Sequence, residues 1–177
     1  MSFLIITDGD KVGFVKQYIR RHEDGIVQKS TNTNEFMTNT NKDKEKILYK
    51  DLSYKLQGLF FDIRNDLGSG HKESIYQKAL EKELTRDGIK FIKEPSIKIY
   101  SKKNEFLGLY RPDFLVEDKI IVELKAVEHI SKQETARVYD YLRNSKYELA
   151  YLVNFASSQL FIKRLIFTND RKNQHVT

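Results

Sequence analysis

Two short apolar runs, Phe106 to Val116 and Lys119 to Val127, face each other across the polar pair Glu117-Asp118. Runs this short and this rich in Val, Ile and Leu read as strands, and a two-residue polar joint makes them an antiparallel hairpin. A lone hairpin is marginal in water, so the rest of the chain has to supply more strands and a covering layer. In the second run Ile120, Val122 and Leu124 alternate with Ile121, Glu123 and Lys125, which places Glu123 and Lys125 on one face. Asp113, ten residues before Glu123, is carried toward that face by the hairpin.

The flanking sequence provides that layer. Leu56, Leu59, Phe60 and Ile63 recur at helical spacing within Leu52–Leu67, and Leu67-Gly68-Ser69-Gly70 stops the helix. A second helix is expected over Glu73–Asp87, with Ile75, Ala79, Leu80 and Leu84 inward and Gly88 as its cap. Ile89–Tyr100, Phe106–Val116 and Lys119–Val127 follow as strands, with a polar turn at Lys102-Lys103-Asn104. Ser131–Asn144 reads as a helix, and Leu149–Phe155 and Leu160–Phe167 as closing strands. This order predicts an α/β domain at 50–167 in which helices cover one mixed sheet.

The ends read differently. Residues 1–46 form an N-terminal extension in which Ser2 to Phe14 suits two short strands about Asp8-Gly9-Asp10, although Val12 to Arg21 suits a basic helical turn equally. Its second half, Ser30 to Lys46, is an Asn/Thr-rich and then charged run with little to bury, expected as a linker or disordered arm. Residues 168–177 are a polar tail.

Composition narrows the function. The 177 residues are 40% hydrophobic and 32% charged, too apolar for full disorder, and no run is long and uncharged enough to span a membrane. The opening lacks the pattern of a signal peptide, so a soluble, cytoplasmic protein is expected. With no Cys, any metal must sit on carboxylate, His or backbone oxygen, which makes Mg²⁺ or Mn²⁺ the first expectation. The net charge is +6, of which residues 50–167 carry +4 from 21 Lys/Arg against 17 Asp/Glu. A mild positive field suits a polyanionic partner and many bystanders alike.

Glu-x-Lys on a strand is ordinary when it faces water, and a Glu such as Glu73 in the first turn of a helix is favoured by the helix dipole without any task. The set gains meaning from Pro112-Asp113 standing across the hairpin from Glu123-Leu124-Lys125. Two carboxylates on one sheet face repel unless a cation sits between them, and the neighbouring ammonium suits an attacking hydroxide and a charged phosphate. Gly68-Ser69-Gly70-His71-Lys72 lacks the spacing of a phosphate loop and reads as a helix cap. His71 and His129 read as solvated loop residues.

With these residues in order, the chain resembles the PD-(D/E)xK nuclease superfamily. More narrowly, it resembles the short bacterial and archaeal proteins called GxxExxY, a motif spelled here by Gly70-His71-Lys72-Glu73-Ser74-Ile75-Tyr76. The resemblance runs from Leu52 to Phe167 and includes RPDFLVEDKIIVELKAV and the later YLVNF. It implies a restriction-endonuclease-like core of order αβββαβ, with a mixed central sheet flanked by helices. It also implies a divalent-metal site made by Asp113, Glu123 and Glu73, with Lys125 as the fourth catalytic residue. Tyr76, Arg137 and Tyr141 are the expected substrate-side residues. Arg137 departs from the pattern, standing where relatives carry Gln in Ala-Gln-x-x-x-Tyr-Leu; it would hold a backbone phosphate or pair with a site carboxylate. The implied activity is Mg²⁺- or Mn²⁺-dependent hydrolysis of phosphodiester bonds in nucleic acid, DNA foremost, with a homodimer left open. The competing expectation is a module of the same fold that binds nucleic acid or protein and turns over nothing.

Overall fold

The computed structural model describes residues 4–8, 11–15, 48–101, 103 and 105–173. The linker expected over Ser30–Lys46 and the turn residues Gly9, Asp10, Lys102 and Asn104 lie outside them.

Among the described residues the elements run β1 (Leu4–Asp8), β2 (Lys11–Val15), α1 (Lys50–Leu67), α2 (Glu73–Arg86), β3 (Phe91–Lys93), β4 (Ile97–Tyr100) and β5 (Phe106–Tyr110). β6 (Phe114–Val116), β7 (Ile120–Lys125), α3 (Lys132–Arg143), β8 (Leu149–Asn154), β9 (Phe161–Ile166) and α4 (Asn169–Asn173) complete the order. The central five strands lie in the order β9-β8-β7-β6-β3, and β1 and β2 extend the β9 edge. β7 and β8 are parallel, joined through α3, while the other neighbours among those five are antiparallel, so the sheet is mixed as expected. β1 runs parallel to β9, which makes the first hairpin part of the same sheet, and Lys11–Val15 takes the strand form.

Period-two alternation sorts the core into two layers. Ile120, Val122 and Leu124 of β7, with Tyr151 and Val153 of β8, pack against Leu56, Leu59, Phe60 and Ile63 of α1 and Leu80 and Leu84 of α2. Ile121, with Ala150 and Leu152, faces Val138, Tyr141 and Leu142 of α3. β7 and β8 are buried on both faces, which is why β8 reads as a nearly continuous apolar run. α1 ends at Gly68, whose φ of 69° lets its N–H return to the carbonyl of Arg64. α3 begins with a full capping box, Ser131 accepting from the Glu134 amide while the Glu134 carboxylate accepts from the Ser131 amide.

The expected long strands Ile89–Tyr100 and Phe106–Val116 are each broken in two. Phe91 faces Val116 in the main sheet and Ile97 faces Tyr110 in a separate two-stranded sheet, and the shared register sets Pro95 opposite Pro112. Neither proline has an N–H to donate, so the ladder stops there and restarts as the β4–β5 arm. Glu94, with φ of 48°, gives the last hydrogen bond of the main-sheet side, to the carbonyl of Asp113 at 2.8 Å. The polar tail also begins with structure. The Lys172 ammonium of α4 donates to the carbonyls of Ser145 and Tyr147 at 2.8 and 2.7 Å.

Candidate active site

The break at Pro112 positions the site. Asp113 is the first residue past it, and because Phe114 faces Val122, Asp113 falls opposite Glu123. Glu123 and Lys125 project from β7 toward the α3 side, Glu73 opens α2, and Arg137 and Tyr141 lie one turn apart on α3. Six of the seven expected residues therefore belong to one neighbourhood, with Arg137 at its exposed rim.

Lys125 is the hub. Its ammonium lies 3.0 Å from Glu123 Oε1 and 3.5 Å from Glu73 Oε2, and donates to the carbonyl of Leu124 at 2.7 Å. Burial alone would lower its pKa, but the charge of Glu123 and then of Glu73 lifts it above the usual lysine range. Asp113 is held from two sides: Gln77 donates to its Oδ1 at 2.8 Å and the Leu124 amide to its Oδ2 at 2.6 Å. Burial, then the charge of Glu123, pushes the Asp113 carboxyl up to about 7, with the Leu124 amide and Lys125 opposing. Burial also raises Glu123, against the pull of Lys125 and Arg137. Opposed residues of antiparallel strands are about 5 Å apart, where two like charges at an effective dielectric near 20 repel by about 3 kcal/mol, enough to keep both from ionising freely.

Glu123 is 4% exposed, and its Oε2 is buried with no hydrogen-bond partner. An unanswered buried oxygen of Glu123, in a cluster where three carboxylates share one ammonium, asks for further positive charge. The donors are all hard oxygens, which fits a divalent cation such as Mg²⁺ or Mn²⁺. Among the described residues no three acidic or His side chains are arranged as a complete cage.

Both expected tyrosines are buried. Tyr76 has none of its surface exposed; its ring stacks on Phe155 at 4.5 Å and its hydroxyl donates to the Gly68 carbonyl at 2.9 Å. It braces the loop before α2 from within the core, packing and hydrogen-bonding beside the site. Tyr141 is also buried, its ring 5.2 Å from Tyr110, and burial followed by the charge of Glu123 raises its pKa. Gln77 was not among the expected residues. It lies one helical turn beyond Glu73, a spacing that signals a shared face, but its amide carries no charge to draw notice. Asn154, 1% exposed, ties the end of β8 to the segment that leaves β7: it accepts from the Val127 amide at 3.1 Å and donates to the Val127 carbonyl at 2.7 Å.

No helix among the described residues is long and apolar enough to cross a membrane. No curated protein and no solved structure matches the chain. A family model does match, that of the PD-(D/E)XK nuclease superfamily, over residues 50–165, the stretch from the start of α1 to the penultimate residue of β9. With Asp113 following Pro112 and facing Glu123-Leu124-Lys125 across a broken hairpin, and that model spanning most of the sequence, the chain belongs to the PD-(D/E)XK nuclease superfamily.

Proposed function

We propose that the chain is a Mg²⁺- or Mn²⁺-dependent nuclease of the cytoplasm that hydrolyses phosphodiester bonds of DNA, and that it belongs with the GxxExxY proteins. The observation that carries this reading is the buried, partnerless Oε2 of Glu123 beside an Asp113 whose carboxyl is pushed up to about 7. Asp113 and Glu123 would hold the cation, with Glu73 reaching it through water. When bound, the ion supplies charge that activates a water and neutralises the phosphate in the transition state. Lys125 orients the attacking water with an N–H and meets the charge growing on the phosphate oxygens. Arg137, exposed on the rim and close enough to act on Glu123, binds a flanking backbone phosphate. Gln77 and the Leu124 amide keep the Asp113 carboxylate in one orientation.

One observation favours a second reading, a binding module without turnover: both oxygens of Asp113 already accept hydrogen bonds, and Lys125 bridges Glu73 and Glu123 without help. Turnover separates the two readings. Purified protein is offered single-stranded, duplex and branched DNA with Mg²⁺ or Mn²⁺, alongside Asp113→Asn and Lys125→Met. Cutting that stops on chelation and is lost in both variants supports the nuclease. No cutting of any substrate selects the binding module.

A further inference from the structure

Seven large apolar side chains are exposed among the described residues, and four of them sit on the β4–β5 arm: Tyr100, Phe106, Leu107 and Leu109, at 47, 58, 65 and 44%. Such concentration on one small element is not the scatter of a normal surface. The arm has two faces. Ile97, Ile99 and Tyr110 pack inward beside Val138 and Tyr141 of α3, while Lys98 and Leu109 pair across the outer face. Tyr100 pairs with Phe106 at the outer end, their rings meeting edge to face at 6.0 Å.

Two observations say what this face meets. From Glu94 to Arg111 the sequence holds four Lys/Arg against two Glu, and exposed Lys98, Lys103 and Arg111 have no ion-pair partner among the described residues. The arm is also continuous with the site, since Tyr110 lies against Tyr141 and the chain runs from it through Arg111 and Pro112 into Asp113. Cations beside exposed aromatic rings attract a polyanion that has flat apolar faces. A closed duplex hides those faces in its stack and offers phosphates and base edges, on which Phe106, Leu107 and Leu109 gain little. Unpaired nucleotides offer both phosphate and free π-faces.

We infer that the outer face of the β4–β5 arm is a stacking platform for unpaired nucleotides that flank the scissile phosphate at a distance of several nucleotides. The substrate is then nucleic acid with a single-stranded segment rather than blunt duplex. The inference rests on the phosphodiesterase reading of the site, and its test is run without turnover so that the two stand or fall separately.

The chain contains no Trp, so Phe106→Trp in the full-length protein places a single indole on the arm as a reporter. In chelator, a 15-nucleotide oligothymidylate is expected to quench this fluorescence saturably, while a blunt duplex of the same length is not. In the parent sequence, Tyr100→Ala and Phe106→Ala should each weaken oligothymidylate binding about tenfold and leave duplex binding within about twofold. Absence of quenching, or equal losses on both nucleic acids, overturns the platform. It is also overturned if sedimentation shows a dimer that Tyr100→Ala with Phe106→Ala dissociates, because the face would then join two copies of the chain. Quenching without cleavage of any substrate removes the nuclease reading and keeps the platform; cleavage with no response of the arm does the reverse.

Discussion

The β6–β7 hairpin carries a pair of carboxylates at each end, and the two pairs differ in every respect that matters to chemistry. At the turn, Glu117 and Asp118 both have positive φ, 52° and 50°, a conformation that usually recruits Asn-Gly. Every charge there is answered: Asp118 accepts from the Lys146 ammonium at 2.6 Å and the Tyr147 hydroxyl at 2.8 Å, and Glu117 accepts from the Lys90 amide at 2.9 Å. Those hydrogen bonds, Lys146 first, hold Asp118 below the usual carboxylate range. At the open end Asp113 and Glu123 are raised instead, because burial removes water and the Lys125 ammonium is shared among three carboxylates. Four carboxylates within eleven residues thus divide into two that fasten a turn and two whose ionised forms burial disfavours.

The sharpest way to break this comparison is to neutralise one carboxylate at each end. Asp113→Asn should reduce metal-dependent DNA cleavage by about a thousandfold or more, whereas Asp118→Asn should leave it within about twofold. Equal losses in the two variants, read on one fluorogenic substrate, would mean that the ends do not differ in function.

The next effect is on stability and follows from the opposite shifts. Asp113 is raised from 3.8 to about 7 on folding, so its contribution is fully present below pH 4 and is lost as pH climbs through 7. Each pKa unit is worth about 1.4 kcal/mol, so urea unfolding in chelator should show a decline of a few kcal/mol at most between pH 4 and 8. Asp113→Asn should flatten that decline, and Mg²⁺ at pH 7.5 should offset it in the parent. A decline that survives in Asp113→Asn belongs to another group. Asp118 has the reverse sign, its share being present above the usual Asp pKa and lost on acidification.

How much of this arrangement could be read beforehand depends on how local its causes are. The three main helices follow from apolar spacing and from stops and caps at Gly68, Ser131 and Gly88, so their ends fall within two residues of expectation. The encounter of Asp113 with Glu123 follows from a two-residue turn, which fixes register at short range. The break of the long strands was signalled by Pro95 and Pro112, but only the pairing shows that the two face each other. Burial is the part that spacing does not carry. A strand alternating Ile121, Glu123 and Lys125 looks like one with a wet face, and α3 and the arm are what close over it. The same limit explains Tyr76, whose place in the core depends on Phe155 from the far end of the chain.

Smaller effects sharpen the comparison at its rim. Arg137→Gln should lower the salt dependence of DNA binding by about one counterion and weaken affinity a few-fold, since an exposed guanidinium on phosphate is a single contact. An unchanged salt slope with altered Mg²⁺ affinity, seen by calorimetry, would place Arg137 against Glu123 instead. Smallest is Tyr76→Phe, which removes the bond to Gly68 and should cost about 1 kcal/mol in chemical denaturation. Cleavage per folded molecule should not change; a clear fall would give Tyr76 a part on the substrate side.

A ladder transmits load from rung to rung through its amide donors, and the facing prolines leave one rung with none. Opening of the arm therefore has no hydrogen bond at that rung through which to pull on Asp113 and Glu123. In amide hydrogen exchange, residues 97–100 and 106–110 should exchange as a group of their own, faster than β6 and β7. The joint acts as a fuse, confining disturbance of the exposed ribbon to the ribbon itself.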